Sequence, residues 1–361
     1  MLQQPLPDEY ERLEEAELFS RIRAAKERLG ADLLILAHHY QRDEIIQFAD
    51  ETGDSFKLAR RAAQIPSAKF IVFCGVHFMA ESADILTSPQ QVVVLPNMTA
   101  GCSMADMANM SDVRACWQQL SMLGNGQTLP ITYINSAASL KSFTGENGGT
   151  VCTSSNALAA LRWGWQNAPR LLFFPDEHLG RNTAIRMGIG EDQIVVWDRF
   201  KPLGGSTQDA LRHARIVLWN GYCSVHMRFT VQQIERGRRE HPGVRVIVHP
   251  ECRREVCDAA DAIGSTEKIA RTVAESEPGS TWAVGTEINL VHRLAQKHPD
   301  KTVFCLNETV CVCSTMYRIH PKYLCWVVEN LAAGRIVNQV KVDDETAAGA
   351  RLALDRMLSL S

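Results

Sequence analysis

Short apolar, β-branched runs that break off into polar residues recur along this chain, separated by stretches of helical length, and no other feature restricts the fold as much. A first group comprises Leu33–Ala37 ending in HHY, Phe70–Cys74 ending in GVHF, and Val92–Leu95 ending in PNMTAGC. A second holds Ile131–Ile134 into NS, Val151 into TSS, Leu171–Phe174 into PDEHLGR, and Ile216–Trp219 into NGYC. A third holds Val244–Val248 into HPE, Ala262 into GST, Trp282–Val284 into GTE, and Val303–Leu306 into NETVCVC. Strands apolar on both faces, alternating with helices, predict an α/β fold of short parallel sheets covered on each side. Ligands of such sheets gather beyond the carboxyl ends of the strands. The polar residues of this sequence are concentrated there.

The three groups resemble one another. Each opens with a strand feeding a polar motif and closes on a cysteine-bearing loop, and their first strands begin near 33, 131 and 244. That spacing suits one small α/β/α unit per repeat. The expected organisation is an N-terminal helix in 1–30, units at 31–116, 128–226 and 243–316, and a C-terminal helical segment in 317–361. Leu13, Leu18, Ile22 and Leu29 fall near helical spacing, with Gly30 as the stop.

With a formal charge of −3 and no run of basic residues, nothing favours nucleic acid or an anionic membrane as partner. Any anionic ligand must be held locally, by hydrogen bonds and helix N-termini. No apolar window approaches the roughly 20 residues that span a bilayer, and the acidic N-terminal stretch reads as neither a secretion signal nor a transit peptide. Eleven cysteines without a disulfide-scaffold composition point to a reducing, cytoplasmic setting.

If three units turn their strand ends to a common centre, each can contribute one closing cysteine. Cys102 in TAGCSMAD, Cys223 in NGYCSVH and Cys313 in CVCSTM are each followed by Ser. Three thiolates on a cubane iron–sulfur cluster leave one iron with an open position, the mark of a catalytic site. No Cys-x-x-Cys pair supports a local cluster motif, and Cys311, two residues before Cys313, is an alternative third ligand. Cys74, Cys116, Cys152, Cys305 and Cys325 lie in apolar surroundings and read as core, while Cys252 and Cys257 remain unassigned.

Other side chains at strand ends carry the remaining chemistry. His38 with Tyr40, His226 three residues after Cys223, and His249 with Glu251 combine proton donors and acceptors that work near neutral pH. Ser55, Tyr133, Asn135, Ser154, Ser265 and Thr266 supply hydroxyl and amide groups. Where such a residue begins a helix, capping is its commoner duty, though the same geometry binds phosphate or carboxylate. No GxxxxGK[ST] and no GxGxxG after a strand is present, so nucleotide cofactors are not indicated. PDEHLGR at 175–181 either lines the site or ties two units together.

The ordered set AHHYQ (37–41), GDS (53–55), GVHFMAE (75–81), GCSMAD (101–106), YINS (133–136), TSSNA (153–157), PDEHLGRN (175–182), GYCSVH (221–226), VHPEC (248–252), GSTEK (264–268), GTEINLV (285–291) and CSTM (313–316) resembles the quinolinate synthase family. The resemblance covers nearly the whole chain. It implies three homologous α/β/α units in pseudo-three-fold arrangement around a central active site. It also implies one [4Fe-4S] cluster per chain on Cys102, Cys223 and Cys313, the last preferred because Cys313-Ser-Thr-Met316 fits the family's Cys-x-x-Met. The implied substrate site is His38, Ser55, Tyr133, Asn135, Ser154, His249, Glu251 and Thr266, with Tyr40 and His226 near the reacting atoms. Glu251, His249 and Tyr133 are the expected proton carriers. Val312 departs from the family, where Pro is usual. The implied reaction condenses iminosuccinate with dihydroxyacetone phosphate to quinolinate for NAD biosynthesis, with L-aspartate oxidase as pathway partner. An aconitase-type hydro-lyase and a redox sensor using Cys311 and Cys313 are the rival readings.

Overall fold

The computed structural model describes residues 3–124, 126–307 and 312–360. Among them, fourteen strands, numbered along the chain, form three sheets. The first contains β1 (Leu33–His38), β2 (Glu51–Gly53), β3 (Phe70–Cys74), β4 (Val92–Val94) and β14 (Gln339–Val340). The second contains β5 (Thr128–Tyr133), β6 (Thr150–Cys152), β7 (Arg170–Phe174), β8 (Ile194–Trp197) and β9 (Ile216–Trp219). The third contains β10 (Arg245–Val248), β11 (Ala262–Ile263), β12 (Thr281–Gly285) and β13 (Thr302–Cys305).

One four-strand order recurs, β2-β1-β3-β4, β6-β5-β7-β9 and β11-β10-β12-β13, with the parallel strand β8 intervening in sequence before β9 at the edge of the second sheet. The molecule is therefore α/β with repeated α/β/α units. Residues β1 and β3 contribute are all buried, the property that makes such strands continuous apolar runs. The repeat extends to single hydrogen bonds. Asp50 N–H donates to Ile35 O over 2.9 Å while its carboxylate accepts from Ile35 N over 2.8 Å. Asp261 does the same to Val246, over 2.9 and 2.7 Å.

Three strands escape the sequence pattern. β2 is a polar Glu-Thr-Gly edge strand, β14 pairs antiparallel with β4, and β8 is an additional edge strand beside β9.

Contacts divide the chain into two compact units, Met1–Cys102 with Val312–Asp343, and Ser103–Cys311 with Asp344–Ser361. The first unit holds the first sheet. Its N-terminal helices, Asp8–Glu11 and Glu15–Leu29, are anchored to the helix Pro321–Ala332, where the Glu329 carboxylate accepts from Tyr10 Oη and from Arg21. Gly30 ends the second of these helices with a positive φ of 51°. The second unit holds the other two sheets and the helix Asp344–Ser359. That helix lies against Ala138–Glu146 at a glycine crossing, where a Cβ on Gly145 would come within 2.0 Å of Gly349 O. No helix among the described residues is long and apolar enough to cross a membrane.

Candidate active site

In the second unit, four of the residues singled out from sequence surround the buried carboxylate of a fifth, Glu251. Pro250 and Glu251 occupy the central positions of a turn closed by Cys252 N–H donating to His249 O over 3.0 Å, directly after β10. Tyr133, the last residue of β5, donates its hydroxyl to Glu251 Oε1 over 2.5 Å. His226 opens a short 3₁₀ turn after Cys223, and its Nδ1 meets Glu251 Oε2 at 2.8 Å. An ionised carboxylate only accepts, so this contact puts the His226 proton on Nδ1 and leaves Nε2 toward Thr286 Oγ1, 3.3 Å away. His249 Nδ1 accepts the Glu251 backbone N–H at 3.3 Å, and its ring stacks on that of His226 with centroids 4.3 Å apart. Cys223 Sγ, His226 and Glu251 bring ligand atoms within 4.8 Å of one another.

Burial alone would raise the Glu251 carboxyl. The adjoining imidazoles of His249 and His226, and the hydrogen bonds from His226 and Tyr133, outweigh it and hold the group at about 2. Burial, and then the neighbouring His226, drives His249 down to about 3, so it is neutral at pH 7. At that pH the ionisation of Glu251 therefore rests on His226 and Tyr133. Asp176 shows the opposite balance: complete burial, and then the Glu251 charge, push it well above the usual carboxylate range.

The PDEHLGRN segment reaches the Glu251 turn. Asp176 caps the helix Glu177–Arg186 by accepting from Leu179 N, and Arg181 bridges Glu177 and Glu191. Asn182 Nδ2 donates to Pro250 O and Cys252 O, each over 2.8 Å, gripping the Glu251 turn from both sides. Neither Asn182 nor Thr286 stood out in the sequence, although both lie inside strand-end motifs, PDEHLGRN and GTE.

The hydroxyl residues differ from a simple capping account. Ser265 caps the helix Thr266–Glu275 and Asp54 caps Ser55–Gln64, so Thr266 and Ser55 are first helical residues rather than caps. Capping thus falls to the preceding residue, and both hydroxyls stand outside the capping bond at the end where a helix favours anions. Ser155 Oγ donates to Ser265 Oγ over 2.9 Å, joining the loop of Ser154 to that of Thr266. Asn135 is half-buried, and its Oδ1 is enclosed without a partner among the described residues.

The first unit assembles a second set. His38 ends β1, accepts from Tyr40 N–H at 3.1 Å and meets the Tyr40 ring edge-on at 4.7 Å. The next two residues clasp the turn after Cys313: Gln41 donates to Met316 O over 3.2 Å, and Arg42 donates to Tyr317 O over 2.7 Å. Asn97 donates to Arg318 O over 3.2 Å and Arg318 to Thr99 O over 2.7 Å, so the segments flanking Cys102 and Cys313 run side by side. The hydroxyl beside the Cys313 sulfur belongs to Thr315, at 3.4 Å. Cys311 lies outside the described residues.

Burial sorts the cysteines. Cys74, Cys116, Cys152, Cys252, Cys257 and Cys325 are buried, and burial raises every one of these thiols, Cys257 and Cys325 to about 12. Cys102, Cys223, Cys313 and Cys305 are half-buried. Cys305 thus departs from its expected core position; it follows the apolar stretch of β13, where Phe304 is also only half-buried. A thiolate ligand set fits the accessible group and is disfavoured in the buried one. Cys102, Cys223 and Cys313 all belong to the accessible group.

Two comparisons with known proteins agree with this arrangement. The sequence model of the quinolinate synthetase A protein family (NadA) matches residues 20–359. A quinolinate synthase of Corynebacterium glutamicum is 57% identical over 359 residues, covering 99% of this chain and 91% of the relative. Quinolinate synthases of Acidobacterium capsulatum and Streptomyces coelicolor are 54% and 55% identical, over 98% and 95% of this chain and 95% and 88% of theirs. The chain belongs to the quinolinate synthetase A family of enzymes.

Proposed function

We propose that this chain condenses iminosuccinate with dihydroxyacetone phosphate to quinolinate, releasing phosphate and two waters, as a cytoplasmic step of NAD biosynthesis. The observation that carries the reading is the carboxylate hub: Glu251 between Tyr133 and His226, with Cys223 Sγ alongside. One [4Fe-4S] cluster per chain on Cys102, Cys223 and Cys313 would supply an open iron as Lewis acid for dehydration. The half-burial of these three cysteines supports that choice. The unit limits 31–116, 128–226 and 243–316 belong to the same reading, supported by the common strand order of the sheets.

The chain's own residues have distinct duties in this scheme. Glu251, ionised at neutral pH, accepts a proton from substrate carbon. Tyr133 and His226, both donating hydrogen bonds to it, hold the carboxylate in place and stabilise its charge, and Glu251 itself returns the proton to the departing oxygen. Neutral His249 offers Nε2–H to substrate, because its Nδ1 is spent on the turn. Asn135, Ser154 and Thr266, together with His38, Ser55 and Tyr40, bind the substrates' carboxylate and carbonyl oxygens, aided by helix N-termini. Burial of the hub keeps water from a hydrolysable imine.

Anaerobically purified protein should carry ~4 Fe per chain and form quinolinate only when both substrates are present. Iron content with no quinolinate would leave the hydro-lyase or sensor reading in its place.

A further inference from the structure

The second unit holds a concave site that opens beside Ser154, a proposed substrate-binding residue, and carries charged groups that the proposed chemistry does not use. A cavity of about 410 Å³ opens beyond the carboxyl ends of β6 and β11. Ser155 and Ser265 line it with the joined hydroxyls already described, at the N-terminal ends of the helices Ala157–Asn167 and Thr266–Glu275. Arg186, Lys268 and Arg271 line it as well, and Glu267 is the one acid among its lining residues. None of the three cations is in an ion pair among the described residues. In a chain of net charge −3, this is a local excess of positive charge, not the edge of a basic surface.

Lys268 is built into place. Its stem crosses Gly264, where a Cβ would come within 2.8 Å of Lys268 Cγ, and its Nζ donates to Ile263 O over 2.9 Å. The first unit contains the same device: Lys57 crosses Gly53, where a Cβ would lie 2.8 Å from its Cδ, and donates to Thr52 O over 2.8 Å. Lys57, however, also pairs with Glu51 Oε1 at 2.9 Å. Ala262 stands where the repeat would put that glutamate, which leaves the Lys268 charge uncompensated. One copy of the device is neutralised, and the other faces a cavity with no ion pair among the described residues.

We infer that this cavity is a docking vestibule for a phosphate group, carried either on a small phosphate monoester or as orthophosphate. A phosphate dianion meets there three unpaired cations, serine hydroxyls and the positive ends of two helices. The cations are exposed, so the attraction is screened by salt and raises local concentration rather than binding tightly. That the monoester is the triose phosphate substrate rests on the proposed function; capture of phosphate itself does not.

The test uses cluster-loaded protein under anaerobic conditions at low ionic strength, with inorganic phosphate titrated by calorimetry or ³¹P NMR. Wild type should bind phosphate saturably, and the Lys268→Gln/Arg271→Gln double variant should bind it about tenfold more weakly, with an unchanged melting temperature. If the KM for dihydroxyacetone phosphate rises in parallel while that for iminosuccinate stays constant, the vestibule receives the substrate. If phosphate binding weakens and neither KM moves, it receives the released orthophosphate. Phosphate binding that is absent from wild type, or equal in the double variant, overturns the inference. Should the protein form no quinolinate, the phosphate titration still decides the vestibule by itself.

Discussion

The Tyr133 hydroxyl donates to Glu251 Oε1 over 2.5 Å, linking the end of β5 to the turn that follows β10. Both residues are almost fully enclosed, so neither has water as an alternative partner. Tyr133→Phe would remove one of the two side-chain hydrogen bonds that keep Glu251 ionised. The expected result is a kcat lower by about 10²-fold, an acid limb of the pH–rate profile moved to higher pH, and a stability loss of about 1–3 kcal/mol. An unshifted acid limb would show that Tyr133 does not set the ionisation of Glu251.

His249 makes stability depend on pH in a defined direction. Its folded pKa of about 3 lies below the ordinary 6.5, so between these values the unfolded chain binds a proton that the folded chain does not. Stability therefore falls as pH drops below about 6.5. Glu251, depressed from 4.5 to about 2, adds a loss of the same sign below the ordinary carboxylate range. Asp176, raised by burial, acts in the opposite sense. Comparing wild type with His249→Asn by denaturant unfolding isolates the imidazole: the difference should shrink as pH falls from 7.5 to 5. A difference independent of pH would contradict the buried, neutral assignment.

Cysteine substitutions should divide by role. Cys102→Ser, Cys223→Ser and Cys313→Ser are expected to lose iron, whereas Cys305→Ser, though equally accessible, keeps it, because its thiol is aimed at Thr286 O. Iron and sulfide content per chain after anaerobic purification checks the division. Retention of the full count in Cys223→Ser would sink the assignment.

Helix packing at Gly145 leaves no room for a side chain. A Cβ there would lie 2.0 Å from the Gly349 carbonyl oxygen, a backbone atom that cannot rotate away. Gly145→Ala should cost about 3 kcal/mol or more as the helices separate, visible as a lower melting temperature. Gly237→Ala, where a Cβ meets nothing within 4 Å, serves as the control and should be neutral or stabilising.

The fold was legible where burial on both sheet faces forced continuous apolar strands, as in β1, β3, β7, β9 and β10. It was illegible at β2, whose three polar-edged residues are held by pairing with β1 rather than by their own composition. Site residues were readable as polar groups at strand ends, but not their assignments. Capping fell to Asp54 and Ser265 rather than to Ser55 and Thr266, because these helices begin at the hydroxyl residue itself, one residue earlier than a capping hydroxyl would place them. The charge of Glu251 depends on His226 and Tyr133, which stand 25 and 118 residues away in sequence and meet it only through tertiary packing. Asn182 illustrates the same limit: it looks like any polar helix residue until the turn it grips is in place.

The most direct measurement is the yield of quinolinate and of phosphate from iminosuccinate and dihydroxyacetone phosphate, under strict exclusion of oxygen, for wild type and Glu251→Gln. Wild type should yield equal amounts of the two products, and a Glu251→Gln protein that retains its iron almost none of either. Phosphate without quinolinate, or full activity in Glu251→Gln, would contradict it.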